Sequence, residues 1–351
     1  MHKAYAATQD SGRLVFALAL LAVVVGGWSS GAGTGPRTLL KIDSGIAFGL
    51  NGSRFAWVGD RVVVADLASG KRSALARGQT DFEEPLGVTG STVVWLEMVG
   101  GNVKIDTLRA AAPGHQVRFG RWDDDDWYLG SGPRFGGIAG DRTTLVYGLY
   151  ALTSLEQRSD RCYSQGVCHW KVTGGGTFLV RPGSLERRRI LPPSTAVAVE
   201  GKTVAAATLA RGRRFKRKEQ IVLLNLANGA RRRVGRPLNI QQLVLHGDRV
   251  AAISAHGLGA PSVHVLSLET GAEIRTLRLP PATKLSHFAW AQGKLVFRGS
   301  FSSIMAIDLR SGRKHVVARI DAGSIYGPWV WREQVLWVEQ GRETSLKSAP
   351  L

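Results

Sequence analysis

Only two of the 351 residues are cysteine, and acidic residues are outnumbered 27 to 46 by lysine and arginine. Two cysteines cannot build a multi-bridge disulfide framework. Cys162 and Cys168, taken with the adjacent His169, offer at most three ligands and no second cysteine pair, which excludes the usual structural zinc sites. In an oxidising compartment a pair this close reads as one local disulfide, Cys162 to Cys168, pinning a loop. Catalytic signatures are equally scarce. There is no His-Glu-x-x-His, no P-loop and no dinucleotide fingerprint, and no cofactor is expected. Residues 27–31 match the letters of a nucleophile elbow, but they trail an apolar segment instead of joining a strand to a helix. His169, His246, His256 and His287 are scattered and read as structural or surface histidines. Residues 51–53 spell a glycosylation sequon, but a turn role for Gly52 explains them better. The deficit of acid leaves a formal net charge of +19, which attracts polyanions: nucleic acid, anionic lipid or acidic envelope polymers.

Compartment chooses among those partners. Lys3 and Arg13 flank an unbroken apolar run at residues 14–25, and small residues follow at 26–33. That is the layout of a secretory signal, and its core falls short of the roughly 20 residues a membrane span needs. A cut after Ala32 is expected, with an uncleaved anchor as the sub-case; no cysteine is near enough for a lipid anchor. Residues 1–32 are therefore expected to direct export, 33–36 to link, and 37–351 to form one domain in the periplasm, envelope or medium. An exported protein has no call on nucleic acid, and a monomer is expected.

What the chain has in abundance is glycine, 43 residues, between short runs of Val, Leu, Ile, Thr and Trp. This composition points to an all-β protein. Gly52, Gly90, Gly140, Gly201, Gly247 and Gly293 each sit between two apolar strands, and Arg332 holds the same slot in a seventh copy. A glycine there suits a tight turn with positive φ. A second turn recurs at residues 66–71, 225–230, 267–272 and 308–313, each with glycine in its fifth position. The markers are spaced by about 40 to 60 residues, the period of a four-stranded propeller blade with insertions. Seven markers predict seven blades of strands a, b, c and d. The seventh has room for three strands only before Leu351. Residues 37–45 echo residues 315–323, and a strand at 38–42 is expected to supply the missing d strand and close the ring, which leaves no open edge.

These turns resemble those of bacterial TolB-like and quinoprotein-like (WD40-like) β-propellers of the cell envelope. The resemblance covers residues 37–351 and implies an envelope propeller.

In such a ring the d–a and b–c connections emerge on one face, and the long ones here belong to that face. The connection entering unit three, residues 121–130, holds Asp123, Asp124, Asp125 and Asp126 between Trp122 and Trp127. Four carboxylates beside aromatics suit a cationic or sugar ligand or Ca²⁺, against the plainer reading of a solvated acidic turn. The b–c loop of unit three is expected over residues 151–173 and holds both cysteines. The b–c loop of unit four, residues 211–218, carries Arg213, Arg214, Lys216 and Arg217, a polyanion-binding patch or a solvated loop. Residues 187–189 and 231–233, all arginine, fall on predicted d strands and read as charges that deter edge pairing. The expectation is an exported, non-catalytic propeller that binds a protein or anionic envelope polymer through its insertion-bearing face. The alternatives are a glycan hydrolase or lyase using carboxylates near the central opening, and a cytoplasmic scaffold.

Overall fold

The computed structural model describes residues 35–78, 86–99, 105–123, 132–154, 170–210, 218–255, 260–300, 302–320 and 324–351. Every regular element among them is a β-strand, and the strands form seven four-stranded antiparallel sheets. The inner strand of each sheet, in chain order, is β2 (Ala47–Asn51), β6 (Leu86–Thr89), β10 (Gly132–Gly140), β14 (Ser194–Glu200), β18 (Ile240–His246), β22 (Phe288–Ala291) and β26 (Ser324–Trp331). Each inner strand touches the next, and β26 touches β2. The outer strands are β1 (Arg37–Ile42), β5 (Arg72–Arg77), β9 (His115–Asp123), β13 (Arg187–Leu191), β17 (Arg231–Leu238), β21 (Glu273–Arg278) and β25 (Lys314–Arg319). This is the seven-bladed all-β propeller that the repeat predicts. Blades are numbered from β2.

Blade 7 takes its outer strand from the other end of the chain. Its order is β26, β27 (Gln334–Gln340), β28 (Thr344–Pro350), β1, with Arg37 opposite Ser348 and Ile42 opposite Thr344. Lys347 Nζ donates to Thr38 Oγ1 at 2.9 Å across that pair. The echo between residues 37–45 and 315–323 now has a cause: β1 and β25 are the outer strands of successive blades.

The core is divided into blade-to-blade layers. Seven apolar clusters each draw on two adjacent blades. The layer between blades 7 and 1 includes Ile42 of β1 beside Phe48, Phe55 and Leu346, with Leu39 and Leu40 packed at its margin. Burying one such side chain stabilises by about 1.5–3 kcal/mol, so β1 contributes packing as well as ladder hydrogen bonds. The widest side chains sit in these layers, with Trp95, Trp337 and Tyr147 fully buried.

The turns follow the sequence with three instructive departures. Gly52, Gly90, Gly201 and Gly247 have φ between 56° and 59°, as the motif requires. In blade 7 Arg332 and Glu333 take φ of 48° and 62° in the same turn without any glycine. In blade 6 Gln292 comes first in the turn (φ 49°), so Gly293 lies one place later than the motif implied. In blade 3 Gly140 pairs with Leu145, and the longer turn is held by Asp141 Oδ1, which accepts from the N–H groups of Thr143 and Thr144 at 3.0 and 2.9 Å. The c–d turn also has a fifth copy at residues 181–186. Leu185 N donates to Arg181 O at 3.0 Å, as Gly229 N does to Asn225 O at 2.8 Å, and Leu185 has φ 57° where the others have glycine. That conformation costs a leucine about 1–2 kcal/mol, which its burial in the layer between blades 2 and 3 offsets.

Candidate functional site

The seven inner strands enclose a cavity of about 670 Å³. No Asp, Glu, Lys or Arg is among its described lining residues. Its walls are Leu, Val, Ala and Phe side chains, interrupted by Thr195, Gln241, Gln242, Ser286 and His287. Two of the walls are bent on purpose by β-bulges, which re-aim side chains. In β10 the register slips between Phe135 and Ile138, at Gly137 with φ 95°. The neighbouring Gly136 is obligatory, because a Cβ there would lie 1.9 Å from the Ser194 carbonyl oxygen of blade 4. In β26 the slip lies between Tyr326 and Trp329, at Gly327 (φ 99°) and the cis Gly327–Pro328 peptide. Phe135 and Trp329 both line the cavity as a result.

Two polar groups in this wall are unusual. Gln242 Oε1 is buried without a hydrogen-bond donor among the described residues, whereas Gln241 Nε2 donates to Asn239 Oδ1 at 2.8 Å. His287 has a left-handed backbone (φ 64°) and meets the edge of Trp329, with ring centroids 5.7 Å apart. Burial pushes the His287 imidazole down to about 4, and the neighbouring Arg298 charge adds to that. It is neutral at pH 7. The cavity therefore offers amides, hydroxyls, one neutral imidazole and aromatic faces, the chemistry of an uncharged polar ligand.

Carboxylates of the described residues lie elsewhere. Asp60 and Glu97 line a separate cleft of about 730 Å³ between blades 1 and 2, where Glu97 is buried and paired with Arg109. Burial lowers the Arg109 pKa, and the nearby Arg118 lowers it further. No group of three or more His, Cys, Asp or Glu among the described residues is placed to hold a metal ion.

The sequence candidates fall mostly outside the described residues. That holds for Asp124, Asp125, Asp126, Trp127, Arg213, Arg214, Lys216, Arg217, the pair Cys162 and Cys168, and residues 1–34. Trp122 and Asp123 are described as backbone, and they correct the expected boundary. They are the last residues of β9, opposite Asp106 and Ile105, so the connection into blade 3 begins after Asp123 and not at Arg121. The b–c connection of blade 3 is likewise shorter than expected. Strand β11 (Leu145–Ser154) and β12 (Trp170–Val180) stay paired as far as Ser154 and Trp170, which leaves residues 155–169 between them.

Arginines of the outer strands were expected to be edge charges, and Arg187 is more than that. Its guanidinium lies 5.5 Å from the ring centroids of both Phe119 and Phe178 and donates to Tyr147 Oη at 3.2 Å. Burial raises the Tyr147 pKa, and that hydrogen bond from Arg187 opposes the rise. Arg187 thus ties blade 2 to blade 3. Lys and Arg appear on every outer strand: two each on β1, β5, β9, β21 and β25, three on β13 and four on β17.

No protein-family model matches this chain, and no curated protein does. Solved structures do. An oligogalacturonate lyase from Vibrio parahaemolyticus superimposes with a TM-score of 0.50 at 11% identity, covering 90% of this chain and 93% of that one. An oligogalacturonate lyase in complex with manganese gives 0.44 at 14% identity, covering 85% of each chain. The computationally designed Ika8 protein gives 0.43 at 13%, covering 90% and 98%. The likeness to the Vibrio parahaemolyticus enzyme, at 11% identity, is one of fold, and it agrees with the propeller architecture.

Proposed function

We propose that this chain is an exported, non-catalytic propeller of the TolB-like and quinoprotein-like kind. It binds a protein partner or an anionic envelope polymer through the face that carries its long connections. The observation that carries this reading is the separation of charge: a central cavity whose described lining is uncharged, inside a ring whose outer strands are all cationic. General acid–base catalysis needs a titrating group held against the substrate. The described lining of the cavity offers only one imidazole, kept neutral by burial. Connectivity supports the choice of face, because residues 124–131, 155–169 and 211–217 each join an outer strand to the next inner one or a second strand to a third. Export rests on residues 1–32.

A glycan hydrolase or lyase using the run from Asp123 to Asp126 is the second reading. An oligogalacturonate lyase shares the architecture, which makes polygalacturonate the discriminating probe. Sedimentation with polygalacturonate, expected to show salt-sensitive binding without release of new reducing ends, tests both readings at once. Product release that disappears when the four aspartates become alanine establishes the second reading and overturns the first. Mass spectrometry of the mature N-terminus tests export, for which a full-length cytoplasmic chain is the contrary result.

A further inference from the structure

The polar groups of the central cavity lie at one level along the axis. Thr195, Gln241 and Ser286 line it from three successive blades. Each stands five residues before the last residue of its inner strand, Glu200, His246 and Ala291 respectively. Gln242 and His287 come directly after two of them. Every described lining residue nearer the a–b turns is apolar, aromatic or glycine, as Val197, Val199, Leu245 and Phe288 illustrate. The polar belt therefore sits toward the end of the cavity where the connections from the preceding blades arrive.

The backbone is shaped to make this belt. Thr195 and Gln241 are each the extra residue of a β-bulge, at matching places in β14 and β18. The register slips there between Ser194 and Ala196 and between Ile240 and Gln242. In blade 6 the left-handed backbone of His287 marks the same level. Thr195, Gln241 and Gln242 are half-buried and Ser286 is exposed, so none of these side chains is sealed in. Gln242 Oε1 has no donor among the described residues, and its amide can turn toward a ligand without breaking a bond at that oxygen. Half-buried Trp329, two residues before the end of β26, adds an aromatic wall.

We propose that this belt binds an uncharged hexose, with Thr195, Gln241, Gln242 and Ser286 as its hydrogen-bonding partners. Groups drawn from three blades fan over an arc. A ring with hydroxyls around its circumference meets such an arc, whereas a ligand with a single polar edge does not. Sugar hydroxyls both donate and accept, as do the hydroxyls and amides of the belt. The C–H face of a sugar packs against an aromatic ring such as that of Trp329. A carboxylate or ammonium group would give up its hydration here without a counter-ion in the described lining. The volume, about 670 Å³, is that of a small-molecule site. This inference goes beyond the polymer-binding reading and does not rest on it.

Calorimetric titration of the full chain with glucose, galactose and mannose, each beside its uronate, tests the site. About 0.5 M sodium chloride screens the cationic rim, so that the uronates are not drawn to it. Saturable one-site binding of at least one neutral hexose is expected, with its uronate about tenfold weaker or more. The Gln241→Ala/Ser286→Ala protein should bind about tenfold more weakly than the parent. Gln116→Ala/Ser73→Ala, which removes the same groups from exposed positions off the cavity, should bind as the parent does. Ser286→Ala alone guards against misfolding, because Ser286 is exposed and precedes β22, and it should weaken binding by about threefold. No saturable binding by any of the three hexoses overturns the site. So does equal affinity for the uronate, full binding by Gln241→Ala/Ser286→Ala, or equal loss in both double variants. Polygalacturonate sedimentation contains no neutral hexose and the titration contains no polymer, so the two readings fail separately.

Discussion

Inner and outer strands of the same blades have opposite characters. Arg134 and Glu200 are the only Lys, Arg, Asp or Glu on the seven inner strands. The outer strands carry Lys or Arg throughout and only Asp123 and Glu273 as acids. Desolvation accounts for the division. A charge moved into the crowded axis costs several kcal/mol unless paired, whereas at the rim it stays hydrated. The outer edge also exposes unpaired backbone groups, and cations along it discourage another chain from adding a strand. Inner strands therefore fix the ring, and outer strands decide what the ring attracts. β1 is exceptional in coming from the opposite end of the chain, and like β13 and β17 it puts apolar residues into a blade-to-blade layer.

That exception supplies the largest expected effect. Removing residues 38–42 takes Ile42, Leu39 and Leu40 from the layer between blades 7 and 1 and unpairs β28. A loss of about 5 kcal/mol or more is expected, or loss of cooperative melting altogether. Calorimetry checks it, and a melting temperature unchanged by the deletion would mean that β1 is no clasp. Next come the tryptophans. Trp337→Ala and Trp95→Ala each empty a fully buried site and should cost about 3–5 kcal/mol in chemical denaturation. A cost under about 1 kcal/mol would show that the layers relax around the gap, unlike well-packed protein interiors.

Most of the ring was legible because its turns are written in glycine. A positive φ at Gly52 or Gly229 is a steric requirement, and spacing between such residues marks hairpins directly. Blade 7 could be read without glycine because the strand after Arg332 keeps the apolar pattern. Leu185 could not, since burial rather than local sterics justifies its backbone. The cavity was harder still. Its lining is uncharged and forms no motif, and His287 read as one more scattered histidine. One available signal lay in the glycines inside inner strands, at Gly136, Gly137 and Gly327, which mark bulges and close approaches. The added role of Arg187 was hidden because a run of three arginines looks uniform in sequence, while the rings of Phe119 and Phe178 meet the guanidinium of the first.

Acid should sharpen the contrast between axis and rim. The folded state holds His287 near 4 against 6.5 for an ordinary histidine, so the unfolded chain binds more protons between those values. Stability conferred by its neutrality is complete above about pH 6.5 and is lost as pH falls toward 4, by up to about 3 kcal/mol. Asp66 and Asp308 add loss of the same sign at lower pH, because the N–H groups of Ala68 and Ser311 hold their carboxyls below the usual range. His287→Asn separates the contributions, since asparagine tolerates the left-handed backbone. Its melting temperature should fall less steeply than that of the parent between pH 6.5 and 4. Identical slopes would remove His287 from the acid response.

The smallest effects divide the rim itself. Arg187→Ala removes a guanidinium held between two aromatic rings and leaves Tyr147 Oη without its donor, so about 1–2 kcal/mol should be lost. Arg187→Lys keeps the charge but not the planar fork, and should recover little of it. Arg233, on the neighbouring outer strand, is exposed. Its alanine variant should stay within about 0.5 kcal/mol of the parent. Salt distinguishes the two further: exposed charges on the rim repel one another, and removing one relieves repulsion that salt already screens. Arg233→Ala should then be slightly stabilising at low ionic strength and neutral at high, while the cost of Arg187→Ala persists in both. Equal costs at both positions would mean that the outer strands are uniform after all, and that their arginines act on stability only through net charge.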